Sequence, residues 1–260
     1  MKENIRKIIL LISIIVFIYS SSQLIKIYLD YKKINDTNDK VVEQVVIEKV
    51  EPKDEPLSYL EINWDELKAL NNDVIGWIQI PYSNINYPIL KGSNNDSYIY
   101  HDIHKNYSKG GSIFIDERNN DTFLDQNTII YGHNMKNNSM FGHIIDIVSN
   151  NEYYQEHPYI YIYLPNGSVY EYTIISTKYI DAYNPLYTPA ILDYQNFYNQ
   201  IKNNTNDIDL INYENQEPII MLSTCATANL EDTSRQVVFA QRSAIIENPK
   251  DQQMKYYKVK

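Results

Sequence analysis

The chain has 260 residues, of which 43% are hydrophobic, so it can bury the core of one large domain or two small ones. Its formal net charge of -10 opposes binding to phosphate backbones and argues against a general nucleic-acid-binding role. One cysteine, Cys225, makes no internal disulfide, so a folded domain outside the cell would depend on packing for its stability.

The first uncharged run of the chain predicts a membrane anchor. Residues Ile8 to Ile25 form a run of 18 uncharged residues, near the lower limit for a membrane-spanning helix. Basic residues precede the run, which predicts a cytoplasmic tail over 1–7 and an extracellular body. A cleaved signal peptide and an ordinary buried helix are the alternatives. We favour the anchor over 8–25 because apolar residues continue past the serines at 20–22.

The segment after the anchor is mixed in composition. Residues 26–56 are charged and end in a stretch with two prolines, which is typical of a stalk or linker. Valines between 41 and 46 could instead support a helix or a strand there. We predict a folded domain over 57–248 and a C-terminal tail over 249–260.

Short β-like runs dominate the predicted domain. They are Val74–Ile80, Ile85–Leu90, Ser112–Ile115, Thr128–Tyr131, Tyr159–Leu164, Val169–Tyr179, Pro218–Thr224 and Gln236–Ile246. The predicted helices are Trp64–Asn71 with Asn63 and Glu66 as a capping box, Met140–Val148 with Ser139 as cap, and Asp193–Lys202. Asn166-Gly167 is a hairpin signal. Many strands with few helices predict a mainly β fold, a barrel or sandwich decorated by helices.

Three side chains that could carry chemistry stand at the ends of predicted strands. Cys225 closes one strand, where it would be rigidly held yet reachable from solvent, and a thiolate is a good nucleophile. His133 ends another strand after Gly132 and could serve as an acid and a base near neutral pH. Arg235 opens a third strand. If that strand pairs with the one before Cys225, its guanidinium could hold an oxyanion.

Each of these signals is weak alone. Buried and inert free cysteines are common, so Cys225 by itself does not define a nucleophile. The histidines at 101, 104, 143 and 157 fall in predicted loops or a surface helix, where exposure is the expectation. His101 and His104 are three residues apart but lack a third ligand nearby, so we predict no metal site and no cofactor.

Together the motifs resemble a known family. Tyr131-Gly132-His133 and Leu222-Ser223-Thr224-Cys225, followed by Arg235-Gln236-Val237-Val238, resemble the signature of sortases. The similarity is strongest to class B sortases, which attach surface proteins to the Gram-positive cell wall. Segments 72–78, 86–90 and 111–116 match family segments in the expected order, and 181–203 is similar to the helix-bearing loop that class B members carry.

The resemblance implies a closed sortase β-barrel of about eight strands with peripheral helices, and a catalytic domain over 57–248. It implies a cysteine transpeptidase that cleaves an LPXTG-like or NPQTN-like sorting signal after its threonine. Cys225 would form a thioester and His133 would exchange protons with the leaving and incoming amines. Arg235 would stabilise the oxyanion or position the peptide.

The resemblance also implies partners and a substrate groove. By position, Asn86, Leu90, Tyr183 and Ser223 match groove residues of the family, although core packing is an equal alternative for Leu90. The expected partners are surface proteins that carry a sorting signal, a cell-wall peptide or precursor amine, and the membrane. A pilin-polymerising sortase, a hydrolytic cysteine peptidase and a non-catalytic surface protein are the competing hypotheses.

Overall fold

The computed structural model describes residues 2–50, 59–149, 152, 154, 157–202, 216–224, 233–247 and 255–258. The helices are α1 (Lys2–Val45), α2 (Trp64–Leu70), α3 (Ile144–Ser149) and α4 (Tyr194–Lys202). The strands are β1 (Val46–Val50), β2 (Tyr59–Ile62), β3 (Val74–Gln79), β4 (Asn86–Leu90), β5 (Ile113–Ile115), β6 (Asn127–Gly132), β7 (Tyr159–Tyr163), β8 (Val169–Asp181), β9 (Ile219–Thr224), β10 (Ser234–Glu247) and β11 (Lys255–Lys258).

Eight strands close into a barrel, which confirms the predicted fold class. The strand order is β10-β8-β7-β3-β4-β5-β6-β9, and β10 also pairs with β9 to complete the ring. The pairs β4–β5 and β6–β9 are parallel, and the other neighbours in the ring are antiparallel. Outside the ring, β11 pairs with the end of β10, and β1 forms a separate antiparallel pair with β2.

Strand β9 is buried on both faces. Ile220 and Leu222 point into the core inside the barrel. Ile219 and Met221 alternate with them and pack outside the barrel with α4, whose Phe197 and other apolar residues cover that face. A strand covered on both sides is typically a continuous apolar run, and this burial explains why the sequence around β9 lacks polar alternation.

Two features that the sequence predicts from local signals, the start of α2 and the β7–β8 turn, are confirmed. Asn63 caps α2, and its Oδ1 accepts a hydrogen bond of 3.2 Å from the backbone N–H of Glu66. Gly167 turns the β7–β8 hairpin with a φ of +86°. Both features depend on a residue's own backbone preference, which is why the sequence alone revealed them.

Helix α3 begins at Ile144, four residues later than the predicted start at Met140. Met140 and His143 both have a φ of +54°, which lies in the left-handed region and is incompatible with an α-helix. Gly142 packs so closely between them that a Cβ there would lie 2.1 Å from the carbonyl oxygen of Met135. The tight turn, rather than helix propensity, therefore sets the boundary.

Helix α1 continues well beyond the predicted anchor. It extends through residues 26–45 of the predicted linker and is followed directly by β1. Ile34, Val41 and Val45 of this part are buried against the barrel. Strand β11, likewise, falls within the predicted C-terminal tail. Regular secondary structure therefore flanks the barrel in the chain both before β3 and after β10.

By length and composition, one helix in the described part of the chain could cross a membrane. It covers Glu3–Val45, and its most apolar 18-residue window has a mean hydropathy of 2.3 and no buried surface.

Close packing at the end of β6 gives a test of the fold. A Cβ at Gly132 would lie 2.6 Å from Cδ1 of Ile113 and 2.7 Å from Cδ2 of Phe141. We expect Gly132→Ala to lower the free energy of unfolding by about 1–3 kcal/mol, measured by urea denaturation. The control is Gly167→Asn, because asparagine tolerates positive φ and the space around Gly167 is open. Equal losses for the two variants would contradict this packing argument.

Candidate active site

Three strands meet at one edge of the barrel. In the parallel ladder between β6 and β9, Gly132 pairs with Thr224. On the other side of β9, the backbone N–H of Gln236 donates to Oγ1 of Thr224 at 2.9 Å. His133 directly follows β6, and Arg235 precedes Gln236 in β10. Cys225, the residue after Thr224 in the sequence, lies outside the described residues.

His133 is held on both its ring and its backbone. The ring is buried, and Nε2 lies 2.5 Å from the carbonyl oxygen of Ile99. A carbonyl only accepts, so Nε2 carries the hydrogen and donates it. The carbonyl of His133 in turn accepts from the N–H groups of Met135, at 3.1 Å, and Phe141, at 3.0 Å. Backbone groups thus fix the orientation of the imidazole.

The surroundings of His133 favour its neutral form. Burial lowers the pKa of the imidazole below its ordinary value, and the hydrogen bond to the Ile99 carbonyl only partly opposes this shift. The ring of Tyr100 lies over the imidazole with 5.4 Å between centroids. With Nε2 protonated, the neutral ring presents the lone pair of Nδ1 as its proton acceptor.

Arg235 brings a positive charge to the same edge. It pairs with Ile180 of β8, is half-buried, and donates from Nη1 to the carbonyl of Ser234 at 3.0 Å. Nearby, the hydroxyl of Thr233 and then the backbone N–H of Tyr183 lower the pKa of the Asp181 carboxyl, and the charge of Arg235 contributes. The guanidinium therefore lies near the carboxylate of Asp181 at this edge of the barrel.

The buried carboxylate of Asp116 holds Tyr131 of β6 in place beside the candidate site. Asp116 is 1% exposed and receives Nε of Arg118 at 2.7 Å and Nη2 at 3.0 Å. It also accepts from the Tyr131 hydroxyl at 2.9 Å and from Nδ2 of Asn95 at 3.2 Å. Burial acts to raise the pKa of Asp116, but the bonds from Arg118 and Tyr131 outweigh it, so the net pKa is lowered. Asp116 therefore fixes Tyr131.

Tyr131 begins an aromatic wall that reaches β9. Its ring stacks on Tyr187 with 6.4 Å between centroids and packs against Phe114. The hydroxyl of Tyr187 lies 2.7 Å from Oγ of Ser223, the residue before Thr224. Burial raises the pKa of Tyr131, so its hydroxyl stays protonated at neutral pH. The wall consists of Tyr131, Tyr187 and Ser223, and its members hold each other in place.

The comparisons with known proteins agree with this geometry. The sortase domain family matches residues 78–243. Sortase B of Staphylococcus aureus is 30% identical over 245 residues, which cover 91% of this chain and 95% of that protein. Sortase B of Listeria monocytogenes is 34% identical over 176 residues, covering 66% and 71% respectively.

The chain belongs to the sortase family, in class B. It is therefore a cysteine transpeptidase of the cell wall, and the predicted family and enzyme class are confirmed. The solved sortase B–substrate complex of S. aureus has a TM-score of 0.62 at 30% identity, with 71% of this chain and 84% of that one covered. Sortase B of B. anthracis has a TM-score of 0.65 at 25% identity, covering 83% and 98%.

The residues predicted to line the sortase groove lie in different surroundings. Ser223 belongs to the aromatic wall, and Tyr183 is 86% exposed beyond β8. Asn86 accepts a 2.7 Å hydrogen bond from the Trp77 indole and lines a polar cavity beside α1. Leu90 has no exposed surface and packs in the core.

Several residues around the candidate site were not identified from the sequence. Tyr100 and Ile99 contact the imidazole from a loop distant in sequence, and Tyr187 reaches Ser223 from another. Only the Asp116–Arg118 pair left a local signal, since an acid and a base two residues apart follow a predicted strand. Among the described residues, no group of three or more His, Cys, Asp or Glu side chains could hold a metal ion.

The shielding of His133 by the Tyr100 ring can be tested by titration. We expect Tyr100→Ala to raise the pKa of His133 toward its ordinary value, because the ring that shields the imidazole from water is removed. The pKa is read from the imidazole Cε1–H resonance across a pH series. Tyr82→Ala, which removes another exposed tyrosine, is the control. An unchanged His133 pKa in the Tyr100 variant would contradict the shielding.

The lowered pKa of Asp116 predicts that the stability of the protein depends on pH. Its pKa is lowered in the folded state, so its contribution is present above the unfolded value of about 3.9 and disappears as pH falls through the folded value. At neutral pH, Asp116→Asn should cost about 1.5–3 kcal/mol, the range for a hydrogen bond to a charged group. Urea denaturation from pH 7 to pH 3 should find this difference shrinking. Asp121→Asn, at an exposed carboxylate, serves as control.

Proposed function

We propose that this sortase cleaves a sorting signal, LPXTG-like or NPQTN-like, after its threonine through a thioester on Cys225, and transfers the acyl group to a cell-wall amine. The observation that carries this proposal is the meeting of three strand ends. Thr224 pairs with Gly132 in the parallel ladder, and its Oγ1 accepts a hydrogen bond from the backbone N–H of Gln236. The next positions outward on these neighbours are His133 and Arg235.

Covalent geometry ties the nucleophile to this edge. Consecutive Cα atoms lie about 3.8 Å apart, so the Cα atom of residue 225 must lie within that distance of the Cα atom of Thr224 at the end of β9. The neighbouring strands there carry a proton carrier on one side and a permanent cation on the other. Each property matches one need of acyl transfer, namely proton exchange and charge stabilisation.

The proposed reaction has two halves, formation of the thioester and transfer of the acyl group to the amine. The Cys225 thiolate attacks the threonine carbonyl carbon, and the C–N bond breaks as His133, in its protonated form, gives a proton to the leaving amine. The incoming amine then attacks the thioester, His133 takes its proton, and the C–S bond breaks to release the thiolate. The lowered pKa of His133 favours the neutral form, which is the proton acceptor of the second half.

Arg235 takes the role of stabilising charge in this proposal. The negative charge that develops on the carbonyl oxygen in both halves needs donors that are already in place. The backbone of Arg235 is held in the β8–β10 ladder, and its guanidinium stays at the mouth of the site. A planar guanidinium can donate two parallel hydrogen bonds, which a lysine cannot.

The peptide groove is proposed to run along the aromatic wall. Tyr183 is exposed and remains the preferred groove residue, whereas Ser223 has no exposed surface and would act through its hydrogen bond with the Tyr187 hydroxyl. Leu90 would act on the groove through packing because it has no exposed surface. Asn86 would contact the peptide from the polar cavity beside α1.

The cellular setting follows from the N-terminal helix and from the relatives. We propose that residues 8–25 of α1 form a single-pass anchor with the barrel outside the cell, since this helix could cross a membrane. Solved neighbours include a sortase B–substrate complex of S. aureus and a sortase B complexed with triglycine, which support a sorting-signal substrate and an amine acceptor.

Pilus assembly is the second candidate. A class B sortase of Streptococcus pyogenes involved in pilus biogenesis has a TM-score of 0.62 at 30% identity, with 69% of this chain and 97% of that one covered. In that case the acceptor would be a lysine of a pilin rather than a wall peptide. The two functions share the thioester and differ only in the amine.

The test is product analysis with the full-length protein in detergent. Quenched LPXTG- and NPQTN-type peptides are offered with triglycine, a wall-type peptide amine or a lysine-bearing pilin peptide. We expect cleavage after threonine and an amine-ligated product by mass spectrometry, both absent in Cys225→Ala. His133→Ala should lose about 10²–10⁴-fold in kcat. Arg235→Ala should lose about 10²–10³-fold, with Lys68→Ala as the charge-matched control outside the site.

Each other outcome has a definite meaning. Hydrolysis without ligation by every amine would replace the transpeptidase proposal with a peptidase. Ligation to the pilin lysine alone would favour pilus assembly. Undiminished cleavage by Cys225→Ala would overturn the assignment of the nucleophile.

A further inference from the structure

One continuous helix joins the proposed anchor to the barrel. In α1, apolar side chains are exposed as far as Leu29, and burial begins with Ile34. The change occurs within about one and a half helical turns, without any break in the helix. The barrel therefore does not swing on a loose tether, and the helix sets which part of its surface faces the membrane.

The barrel first meets α1 through the β4–β5 loop. Nζ of Lys109 lies 2.7 Å from Oδ2 of Asp30, the residue after the last exposed apolar position. Gly110 packs so closely on Ile34 that a Cβ there would lie 3.1 Å from two of its carbon atoms. This loop is therefore fixed to the helix at the end of the helix nearest the membrane.

The depth of the loop follows from helix geometry. Asp30 is five residues beyond Ile25, the end of the uncharged run, and a rise of about 1.5 Å per residue places it about 7.5 Å further along the axis. A hydrocarbon core of roughly 30 Å within a bilayer of about 40–45 Å leaves about 5–7.5 Å for each headgroup layer. The Asp30–Lys109 pair is thus at the outer border of the headgroups.

The side chains of the β4–β5 loop are of the kind found at membrane–water interfaces. Tyr107 is 65% exposed and Tyr100 is 47% exposed, and their rings stack with 6.3 Å between centroids. Tyrosine has an apolar ring and a polar tip, and it is enriched at membrane–water interfaces for this reason. Lys105 and Lys109 are ion-paired with Asp73 and Asp30, so the attraction would come from the rings more than from charge.

The same loop holds the candidate histidine. Tyr100 packs on the imidazole of His133, and the preceding residue, Ile99, accepts the hydrogen bond from Nε2. We propose that Tyr100 and Tyr107 contact the lipid headgroup layer of the membrane that α1 spans. The membrane surface then touches the loop that orients His133. This inference depends on the anchor proposed above.

Fluorescence quenching by lipid tests the contact. Full-length Tyr107→Trp is reconstituted into phosphatidylcholine vesicles, in which lipids brominated near the headgroup end of the acyl chains replace part of the bilayer. We expect a loss of fluorescence that exceeds the loss from the native Trp64 and Trp77 in the wild-type protein. Leu192→Trp is the matched control, because that side chain is 98% exposed on the β8–α4 connection.

The outcomes separate this inference from the anchor. Flotation of the wild-type protein with the vesicles reports the anchor by itself. Flotation together with no extra quenching of Trp at 107, compared with Trp at 192, would overturn the loop contact and leave the anchor intact. Failure of the wild-type protein to float would overturn both. Peptide cleavage by each variant verifies that the barrel is folded.

Discussion

The site depends on the backbone hydrogen bonds that hold β9 between β6 and β10. These two ladders close the barrel, and the β6–β9 ladder brings Gly132 beside Thr224, 92 residues later in the sequence. Burial of β9 on both faces stabilises the ladders, because its apolar side chains are removed from water inside the barrel and under α4. Once β9 is in place, the surroundings of Thr224 are determined.

His133 illustrates how the fold orients a histidine through the backbone. A backbone carbonyl accepts from the ring, and burial lowers the pKa of the imidazole. A carboxylate in the position of that carbonyl would instead favour the charged imidazolium. The fold thereby favours the neutral imidazole in one orientation, while Arg235 brings a positive charge to the same edge of the barrel. In the proposed mechanism, proton transfer and charge stabilisation fall to separate side chains, one after β6 and one in β10.

The sequence predicted the local features well and the long-range ones poorly. Strand positions, the Asn63 cap and the Gly167 turn each depend on residues close together in the chain. The predicted start of α3 was wrong because Met140 and His143 adopt a left-handed backbone conformation, which the sequence pattern did not reveal. The docking of α1 through Ile34 was likewise hidden, since a few apolar residues in a charged stretch resemble a linker.

The sequence by itself determined the chemistry: the types of residue at strand ends, the family signature carried by His133, Cys225 and Arg235, and an apolar N-terminal run. The tertiary structure decided the surroundings of those residues. Tyr100 and Tyr187 reach the site from loops whose order in the chain gives no hint of contact. The physical reason is that strand pairing between distant segments is selected by the burial of the whole barrel, which no local pattern encodes.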